Sequence, residues 1–374
     1  MSTPRTRKDL YVEYLSFWAG LVVRLRRPLV VGVTGSVGKT TTKETLAAVL
    51  AAPEAEAAVG LSWATPGNMN DNLGVALTLL GYRGWRPRWG SEVLRAVTVP
   101  IRALRMATVG PYPRVVVLEL GAGVGGDVRR TAPLARPTIG IVTAVGPAHL
   151  EVFGTVEGVA EVKGALVRVV PPSGLVVLGA DNALASGMDA LARAPVVKVP
   201  GKGQALSDAV ARVVAERLGV PADAVDRALA GRQGFRGRQE VLEVGAVTVI
   251  NDAFNANPLS MAYGLETLAE RARPGRRPVA VLGEMAEMGE TGPRYHREMA
   301  DVARSSADLV VGVGPLARLY EPDHWFETSE DCAEAIPGLV RDGDYVLVKG
   351  SHSSHLRCVV DALRRTFGPV PADG

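Results

Sequence analysis

Residues 33–43 read Val-Thr-Gly-Ser-Val-Gly-Lys-Thr-Thr-Thr-Lys, and this stretch decides the fold. The apolar run Pro28–Val33 predicts a buried strand, and Lys39–Leu50 predicts the helix that follows it. A glycine-containing turn between a strand and a helix is typical of a phosphate-binding loop, where main-chain N–H groups and the helix N-terminus surround the phosphates. The strict motif has glycine at the position of Val33, whereas this chain carries its glycines at residues 32 and 35.

The residue types of this loop predict separate roles. We expect Lys39 to reach the β- and γ-phosphate oxygens and the Thr40 hydroxyl to hold Mg²⁺. A ligand-free glycine turn is the alternative, and the combination of strand, Gly-Lys-Thr triplet and helix argues against it. The predicted nucleotide-binding residues are Thr34, Gly35, Ser36, Val37, Gly38, Lys39, Thr40 and Thr41.

Length and composition indicate a folded protein of two domains. The chain has 374 residues, of which 47% are hydrophobic and 22% charged, so it can bury two cores and is not a disordered protein. A net charge of only +3 gives no general signal for nucleic-acid binding, and we expect no nucleic-acid partner. Cys332 and Cys358 lack the spacing of a metal or redox motif and suggest a reducing compartment, so we expect a cytoplasmic protein, with membrane association left open.

Two segments outside the α/β pattern are candidates for contacts with a partner. Residues 8–26 are apolar and aromatic, but they are short for a membrane span and include Glu13 and Arg24. They predict an amphipathic helix that either docks on the protein, which we favour, or lies on a membrane surface. Residues 81–113 combine arginines with Trp85 and Trp89, which suits anionic ligands or simple local packing, and we favour local packing.

From residue 28 onward, apolar strand-like runs alternate with helical patterns. Such alternation predicts parallel α/β layers with ligands at the carboxyl ends of the strands. We therefore expect an α/β fold with a P-loop central domain, built on a mostly parallel sheet, and a C-terminal Rossmann-like α/β domain. The predicted bounds are an N-terminal helix at 1–27, a central domain at 28–235 and a C-terminal domain at 236–374. The predicted strands after the first are Val115–Leu120, Thr138–Ala144, Gly174–Leu178, Val247–Asn251, Pro278–Leu282, Leu309–Val313 and Tyr345–Val348.

Polar residues with metal-binding chemistry follow these strands. Glu119 closes one buried strand, His149 follows the next, and Lys163 begins a helical stretch shortly afterwards. Each alone is more often a satisfied polar residue at a strand end. With a phosphate loop upstream, Glu119 and His149 together predict a Mg²⁺ site beside the phosphates.

Seven ordered blocks of this chain resemble the Mur ligase family, the ATP-dependent enzymes that build the peptide stem of peptidoglycan. Within that family they are most similar to the MurF branch, which adds D-alanyl-D-alanine. The order and approximate spacing agree from residue 28 to the end of the chain. The blocks are Thr34–Thr40, Thr65-Pro-Gly-Asn-Met-Asn70, Leu118-Glu-Leu-Gly-Ala122, Ala148-His-Leu-Glu-Val-Phe-Gly154, Asp252-Ala-Phe-Asn-Ala-Asn-Pro258, Leu282-Gly-Glu-Met-Ala-Glu-Met-Gly289 and Leu347-Val-Lys-Gly-Ser351.

The resemblance implies roles for particular residues. It implies that Lys39 and Thr40 bind the ATP phosphates and Mg²⁺, and that Thr40, Glu119, His149 and Lys163 form the metal site. Lys163 matches the lysine that the family carbamylates. A lysine ammonium would repel the metal, whereas a carbamate supplies anionic oxygens that can bind it. Asp252 and Asn255 match residues that touch adenine and ribose, together with Arg238. The residues expected to meet the substrates are Asn68, Asn70, Lys349, Ser351 and His352.

Four features depart from the family pattern. Phe254 stands where tyrosine is usual, and His352 replaces an arginine that is common after Lys-Gly-Ser. Residues 182–204 are shorter than usual, and only residues 1–27 precede the phosphate-loop strand, so we expect the usual N-terminal UDP-binding domain to be lacking. Either another protein then supplies the UDP-binding function, or the acceptor is a different carboxylate. The helix at 8–26 and the segment 81–113 are the candidates for recognising the acceptor.

The expected activity is an ADP-forming carboxylate–amine ligase that works through an acyl phosphate. Its substrates are a small-molecule or peptide carboxylate and an amine donor. A polyglutamate-type ligase, such as a folylpolyglutamate or poly-γ-glutamate synthetase, is the alternative within this class. A non-catalytic ATP-binding subunit is the alternative outside it, and the presence of all four residues Lys39, Glu119, His149 and Lys163 argues against that alternative.

Overall fold

The computed structural model describes residues 6–82, 92–123, 125–231, 235, 237–272 and 275–368. The helices are α1 Arg7–Arg26, α2 Lys39–Leu50, α3 Pro53–Val59, α4 Asn72–Leu79, α5 Glu92–Thr108, α6 Val128–Ala135, α7 Leu150–Phe153, α8 Val156–Val169, α9 Ala183–Ser186, α10 Gly203–Arg217, α11 Ala222–Ala230, α12 Pro258–Arg271, α13 Gly292–Ser306, α14 Ser329–Leu339 and α15 Arg357–Phe367. The strands are β1 Leu29–Thr34, β2 Ser62–Ala64, β3 Val115–Glu119, β4 Ile139–Val142, β5 Leu175–Gly179, β6 Val196–Val199, β7 Glu240–Val244, β8 Val247–Asp252, β9 Pro278–Gly283, β10 Leu309–Val313, β11 His324–Phe326 and β12 Tyr345–Lys349.

The contacts of these elements divide the chain into two compact units. The first contains residues 1–145 and 157–232, and the second contains residues 146–156 and 233–374. The short segment 146–156 belongs to the second unit although it interrupts the first in sequence. The main-chain N–H of Glu151 in this segment donates to the carbonyl of Glu287 at 3.2 Å. The predicted domain bounds remain a prediction.

The first unit is built on a six-stranded sheet in the order β2-β3-β1-β4-β5-β6, and every neighbouring pair is parallel. The central strands β1, β3 and β4 are almost entirely buried, because a parallel sheet is covered on both faces. Helix α2 begins directly after the turn that follows β1, and α10 packs against it. This arrangement places residues 34–40 at the carboxyl end of the central strand, where parallel α/β sheets bind ligands.

The second unit has its own six-stranded sheet in the order β11-β10-β9-β12-β8-β7. Its strands are parallel except for the edge strand β7, which pairs antiparallel with β8. Strands β8 and β12 are neighbours, and their register sets Asp252 beside Lys349 at the carboxyl ends. The predicted α/β fold class, with a mostly parallel sheet and a second sheet, is confirmed.

The sequence patterns identified the interior strands of each sheet but not the edge strands. Helix α2 has the predicted bounds, and the predicted strand at 115–120 is observed as β3. The strands at the edges of the two sheets, β2, β6, β7 and β11, were not predicted. Strand β6 lies inside the stretch 182–204 that is short for the family, so this stretch retains a strand of the first sheet.

The N-terminal helix α1 covers the predicted segment but is not a simple amphipathic helix. Its residues Leu15, Ala19, Val22 and Val23 are buried, and the helix packs against α4, α5 and α6. Apolar residues also occur on its exposed face, so its polar and apolar residues are not separated into two sides. Among the described residues, no helix is both long and apolar enough to cross a membrane.

Candidate functional site

The turn after β1 has the shape of a phosphate loop because its glycines adopt conformations that other residues avoid. Gly35 has φ +150° and Gly38 has φ +87°. A Cβ atom at Gly35 would lie 2.0 Å from the Thr143 hydroxyl, so a side chain at that position has no room. Glycine is therefore required at residue 35, even though the strict motif carries its first glycine two positions earlier.

The loop is anchored on β4 and β3 by the polar residues between its glycines. The buried Thr34 hydroxyl donates to the carbonyl of Leu120 at 2.8 Å, and the Ser36 N–H donates to the carbonyl of Ala144 at 2.6 Å. The Thr143 hydroxyl donates to the carbonyl of Val37. These bonds fix the loop backbone in one shape before any ligand arrives, which lowers the entropic cost of binding.

Two lysines share one main-chain acceptor in this loop. Lys39 Nζ donates to the Gly35 carbonyl at 2.7 Å, and Lys163 Nζ donates to the same oxygen at 2.8 Å. Lys163 is completely buried on α8. Burial, and then the neighbouring charge of Lys39, hold the pKa of Lys163 well below its usual value. A lowered pKa increases the fraction of an amine that is neutral and therefore nucleophilic.

Thr40 at the start of α2 and Glu119 at the end of β3 form a buried pair whose oxygen atoms can bind a metal. The Thr40 hydroxyl donates to Glu119 Oε2 at 2.8 Å, and the Asn70 amide donates to Glu119 Oε1 at 2.8 Å. Hydroxyl and carboxylate oxygens are the ligands that Mg²⁺ prefers, so this pair fits the predicted metal. No group of three or more His, Cys, Asp or Glu side chains with metal-binding geometry occurs among the described residues. Asn68, the other predicted asparagine, is exposed.

Lys43 is a structural residue of this region that the sequence patterns did not single out. Its side chain is completely buried on α2, and Nζ donates to the carbonyls of Thr65 and Gly67, each at 2.9 Å. The Thr65 hydroxyl in turn accepts the main-chain N–H of Glu119 at 3.0 Å. Lys43 therefore fixes the turn before Asn70 relative to the phosphate-loop helix. Its spacing from Leu46 and Leu50 on the buried face of α2 was the available signal.

His149 lies in the second unit, where its ring nitrogen Nδ1 contacts a carboxylate oxygen of Glu287. This contact lowers the pKa of the Glu287 carboxyl, since the ring hydrogen bond favours its charged form. His149 has φ +54° and caps the short helix α7. Glu287 lies inside the block 282–289 quoted above but was not predicted as a site residue.

The predicted adenine and ribose residues cluster at the carboxyl end of the second sheet. Lys349 is buried and forms an ion pair with Asp252, with Nζ 2.6 Å from Oδ2, and it also donates to the Asn255 carbonyl at 3.2 Å. The Arg238 guanidinium lies over the Phe254 ring at 4.1 Å from its centroid. Phe254 therefore offers a stacking face to Arg238, and it lacks the hydroxyl of the usual tyrosine.

Ser351 and His352 occupy different environments although they are adjacent. Ser351 is buried, and its hydroxyl accepts the Ala286 N–H at 2.8 Å. His352 is exposed, with its ring 6.1 Å from Phe254. Of the predicted C-terminal substrate residues, Lys349 and Ser351 are thus engaged with the protein, and His352 is open to a ligand.

Comparison with known proteins matches two family models to successive parts of the chain. The model of the Mur ligase middle domain matches residues 33–86 and 92–223, and that of the Mur ligase glutamate ligase domain matches residues 237–352. The UDP-N-acetylmuramoyl-tripeptide–D-alanyl-D-alanine ligase of Mycobacterium tuberculosis (strain H37Rv) is 32% identical over 89% of this chain and 72% of its own length.

Solved structures show the same fold. MurF from Thermotoga maritima in complex with ADP has a TM-score of 0.77 at 23% identity, over 98% of this chain and 87% of that one. The FolC protein of E. coli in complex with DHPP and ADP has a TM-score of 0.60 at 18% identity, over 97% of this chain and 100% of that one. The family models, the M. tuberculosis relative and the fold agree. The chain therefore belongs to the Mur ligase family of ATP-dependent ligases.

Proposed function

We propose that this protein is a MurF-type ligase, which uses ATP to join a carboxylate to an amine. The observation that carries the proposal is the buried set formed by the loop 34–40, Lys39, Lys163 and the Thr40–Glu119 pair. This set combines a phosphate cradle, a cation for the phosphates and hard oxygen donors for a metal. The relatives and the family models described above support the same activity.

The loop and its residues act on ATP by positioning it and spreading its charge. The main-chain N–H groups after Ser36 and the N-terminus of α2 hold the β- and γ-phosphates. Lys39 leaves its carbonyl acceptor to neutralise charge on the transferring group. Thr40 and Glu119 would hold Mg²⁺, which when bound supplies further positive charge to the phosphoryl oxygens.

Lys163 is proposed to carry a carbamate. Its low-pKa amine attacks the carbon of dissolved CO₂ and loses a proton to solvent, which leaves an anionic carbamate on Nζ. Without the carbamate, Lys163 and Lys39 donate to the same carbonyl of Gly35. The carbamate is an anion, so it can pair with a cation instead of competing with Lys39. The carbamate oxygens would support the Mg²⁺ site, and His149 stays a predicted ligand of this metal.

The proposed reaction has two steps. An acceptor carboxylate oxygen attacks the γ-phosphorus, the bond to the β-phosphate oxygen breaks, and ADP leaves behind an acyl phosphate. The amine then attacks the acyl carbon, phosphate leaves with the bonding electrons, and the amine proton is released. The products are an amide, ADP and inorganic phosphate, so each turnover consumes one ATP.

The substrates are proposed from the names of the relatives. The acceptor is UDP-N-acetylmuramoyl-tripeptide, and the amine is D-alanyl-D-alanine. In the second unit, Arg238, Asp252 and Asn255 are proposed to serve the adenine and ribose, and the exposed His352 to meet the incoming amine. Because Lys349 and Ser351 are buried, we propose that they stabilise the turn at residues 252–256. A cytoplasmic location remains a prediction.

The test is ADP formation by the purified chain across pairs of acceptors and amines. We expect turnover only when UDP-N-acetylmuramoyl-tripeptide and D-alanyl-D-alanine are both present, with a product mass equal to their sum less one water. Single amino acids in place of the dipeptide, and pteroate with glutamate, test the polyglutamate alternative. Turnover with pteroate and glutamate alone would replace the MurF-type assignment.

A matched pair of variants tests whether turnover depends on the phosphate loop. Lys39→Ala removes the phosphate-loop cation, whereas Lys198→Ala removes an exposed lysine of the same unit that pairs with Asp189. We expect Lys39→Ala to abolish ADP formation and Lys198→Ala to retain it. ATP binding by the unmodified chain without turnover on any acceptor pair would support the non-catalytic alternative.

A further inference from the structure

Helix α1 carries a second apolar face that no described part of the protein covers. Leu10, Phe17 and Leu25 are 53%, 65% and 56% exposed, respectively. Their spacing of seven and eight residues sets them on one line along the helix, about 22 Å long at 1.5 Å per residue. The opposite face, around Leu15 and Val22, is buried. A helix with apolar residues on opposite faces normally has partners on both.

The neighbouring helix α5 repeats this arrangement. It packs against α1, buries Val99 and Ala103, and exposes Val97, Ile101 and Leu104 to 59%, 62% and 49%. These three residues are four and three positions apart, which sets them on one face of the helix. Two packed helices thus each expose an apolar stripe, which is unusual for a surface that only meets water.

A groove with cationic rims follows the exposed face of α1. Two adjoining hollows of about 320 Å³ and 200 Å³ lie between α1 and α6, and Phe17 and Leu134 line both. Arg130 and Glu13 border the first hollow, and Arg24 and Arg136 border the second, so the guanidinium groups outnumber the carboxylates. Phe17 and Leu134 beside these guanidinium groups suit a ligand that joins hydrocarbon to negative charge.

The positive charge of the chain is concentrated on these helices. Residues 7–27 contain five basic and two acidic residues, and residues 92–108 contain three basic and one acidic residue, so together they carry +5. The whole chain carries +3, and the remainder is therefore −2. Arg26 and Arg102 donate to main-chain carbonyls, which leaves exposed cations such as Arg24, Arg27 and Arg105 at the surface.

We propose that the α1–α5 face, defined by the exposed stripes of these two helices and the groove beside α6, docks on an anionic lipid bilayer. Apolar side chains enter the boundary between headgroups and acyl chains, and the surrounding arginines meet lipid phosphates. A second copy of the chain is a poorer occupant, because a two-fold interface would bring like charges together. Docking of this kind holds the ligase at the membrane surface.

The experiment is co-sedimentation of the full chain with vesicles of phosphatidylcholine alone or mixed with phosphatidylglycerol. We expect binding to the mixed vesicles only, weakened by added salt because salt screens the charge attraction. Phe17→Ser should weaken binding roughly tenfold, as expected for loss of one buried aromatic side chain. Arg24→Gln with Arg27→Gln should weaken it on the anionic vesicles.

The matched control is Val241→Ser, which removes an exposed apolar residue from the second unit. It should bind vesicles like the unmodified chain, and all variants should keep their melting temperature because the changed side chains are exposed. Equal binding to both vesicle types, or unchanged binding by Phe17→Ser, would overturn the proposal. So would sedimentation velocity that shows a dimer which Phe17→Ser dissociates, without vesicle binding by either form.

Discussion

A fully buried lysine lies beside the phosphate loop of the first unit, and another lies at the sheet end of the second unit, in the opposite setting. Lys163 has a main-chain carbonyl as its acceptor and Lys39 as its neighbour. Lys349 has the carboxylate of Asp252 at 2.6 Å. Burial alone thus does not assign a role to a lysine. The partner does, because a carboxylate stabilises the ammonium whereas a second lysine disfavours it.

This contrast assigns a chemical role to the region around Lys163 and a structural role to the region around Lys349. A buried amine with a lowered pKa can react, and Lys163 lies beside the loop where phosphoryl transfer is proposed. Lys349 joins the ends of β8 and β12 and supports the turn at Asn255. The predictions below alter one side of the contrast at a time.

The largest effect is expected from Lys163→Ala. We predict a loss of about 10³-fold in kcat, comparable to removal of a key electrostatic group from an active site. Formate or acetate should restore part of the activity, because a small carboxylate can occupy the place of the carbamate. Lys198→Ala provides the control for the loss of an unrelated lysine. Full turnover by Lys163→Ala would remove the carbamate from the mechanism.

The next effect is expected from breaking the ion pair of the second unit. Lys349→Met leaves Asp252 without its charged partner, and we predict a loss of about 3 kcal/mol in the free energy of unfolding. The double variant Lys349→Met with Asp252→Leu should recover much of this loss, since no unpaired charge remains. Urea unfolding of the single and double variants measures both values. Equal losses in the two variants would show that the pair acts by packing and not by charge.

A smaller loss is expected from Lys43, the buried lysine bound to two carbonyls and to the Glu44 carboxylate. Lys43→Met leaves these three acceptors, on Thr65, Gly67 and Glu44, without this donor, and we predict a loss of about 2 kcal/mol. Lys43→Arg retains a donor and serves as the matched variant. We also expect Lys43→Met to raise KM for the acceptor, because the turn at Thr65 leads to Asn70. Steady-state kinetics beside urea unfolding separate the two effects, and an unchanged KM would confine Lys43 to stability.

The smallest effect concerns pH. The folded pKa of Lys163 lies below its unfolded value, so the folded state binds fewer protons between these two pKa values. Stability should therefore rise with pH in this window, by up to about 1.4 kcal/mol per pH unit, and the cost of burial is complete below the folded pKa. Lys163→Met should flatten this dependence when unfolding is measured in CO₂-free buffer. An unchanged slope would contradict the lowered pKa.

The sequence alone was sufficient for the elements with strong local patterns. The long buried strands and helix α2 follow from apolar runs and from the Gly-Lys-Thr turn. The edge strands β2, β6, β7 and β11 could not be recognised, because they are only partly buried and so lack the continuous apolar runs of the interior strands. These strands form because they pair with neighbouring strands of the sheet, and a local sequence pattern does not predict such pairing.

The sequence predicted which residues belong to the candidate site but not the contacts between them. The family resemblance singled out Lys163. It did not predict that Lys163 shares an acceptor with Lys39, the Gly35 carbonyl, which lies 128 positions from Lys163 in the chain. Lys349 was expected to face a substrate, and its burial against Asp252 depends on the register of β8 and β12. Such pairings exist only once the sheet has formed, so a linear reading of the chain does not contain them.

The most direct test of the contrast between the two lysines is ¹³C NMR of the protein in ¹³C-bicarbonate. The account predicts a protein carbamate signal that is present in the unmodified chain and in Lys349→Met and absent in Lys163→Ala. A carbamate signal that persists in Lys163→Ala, or no carbamate in the unmodified chain, would contradict it.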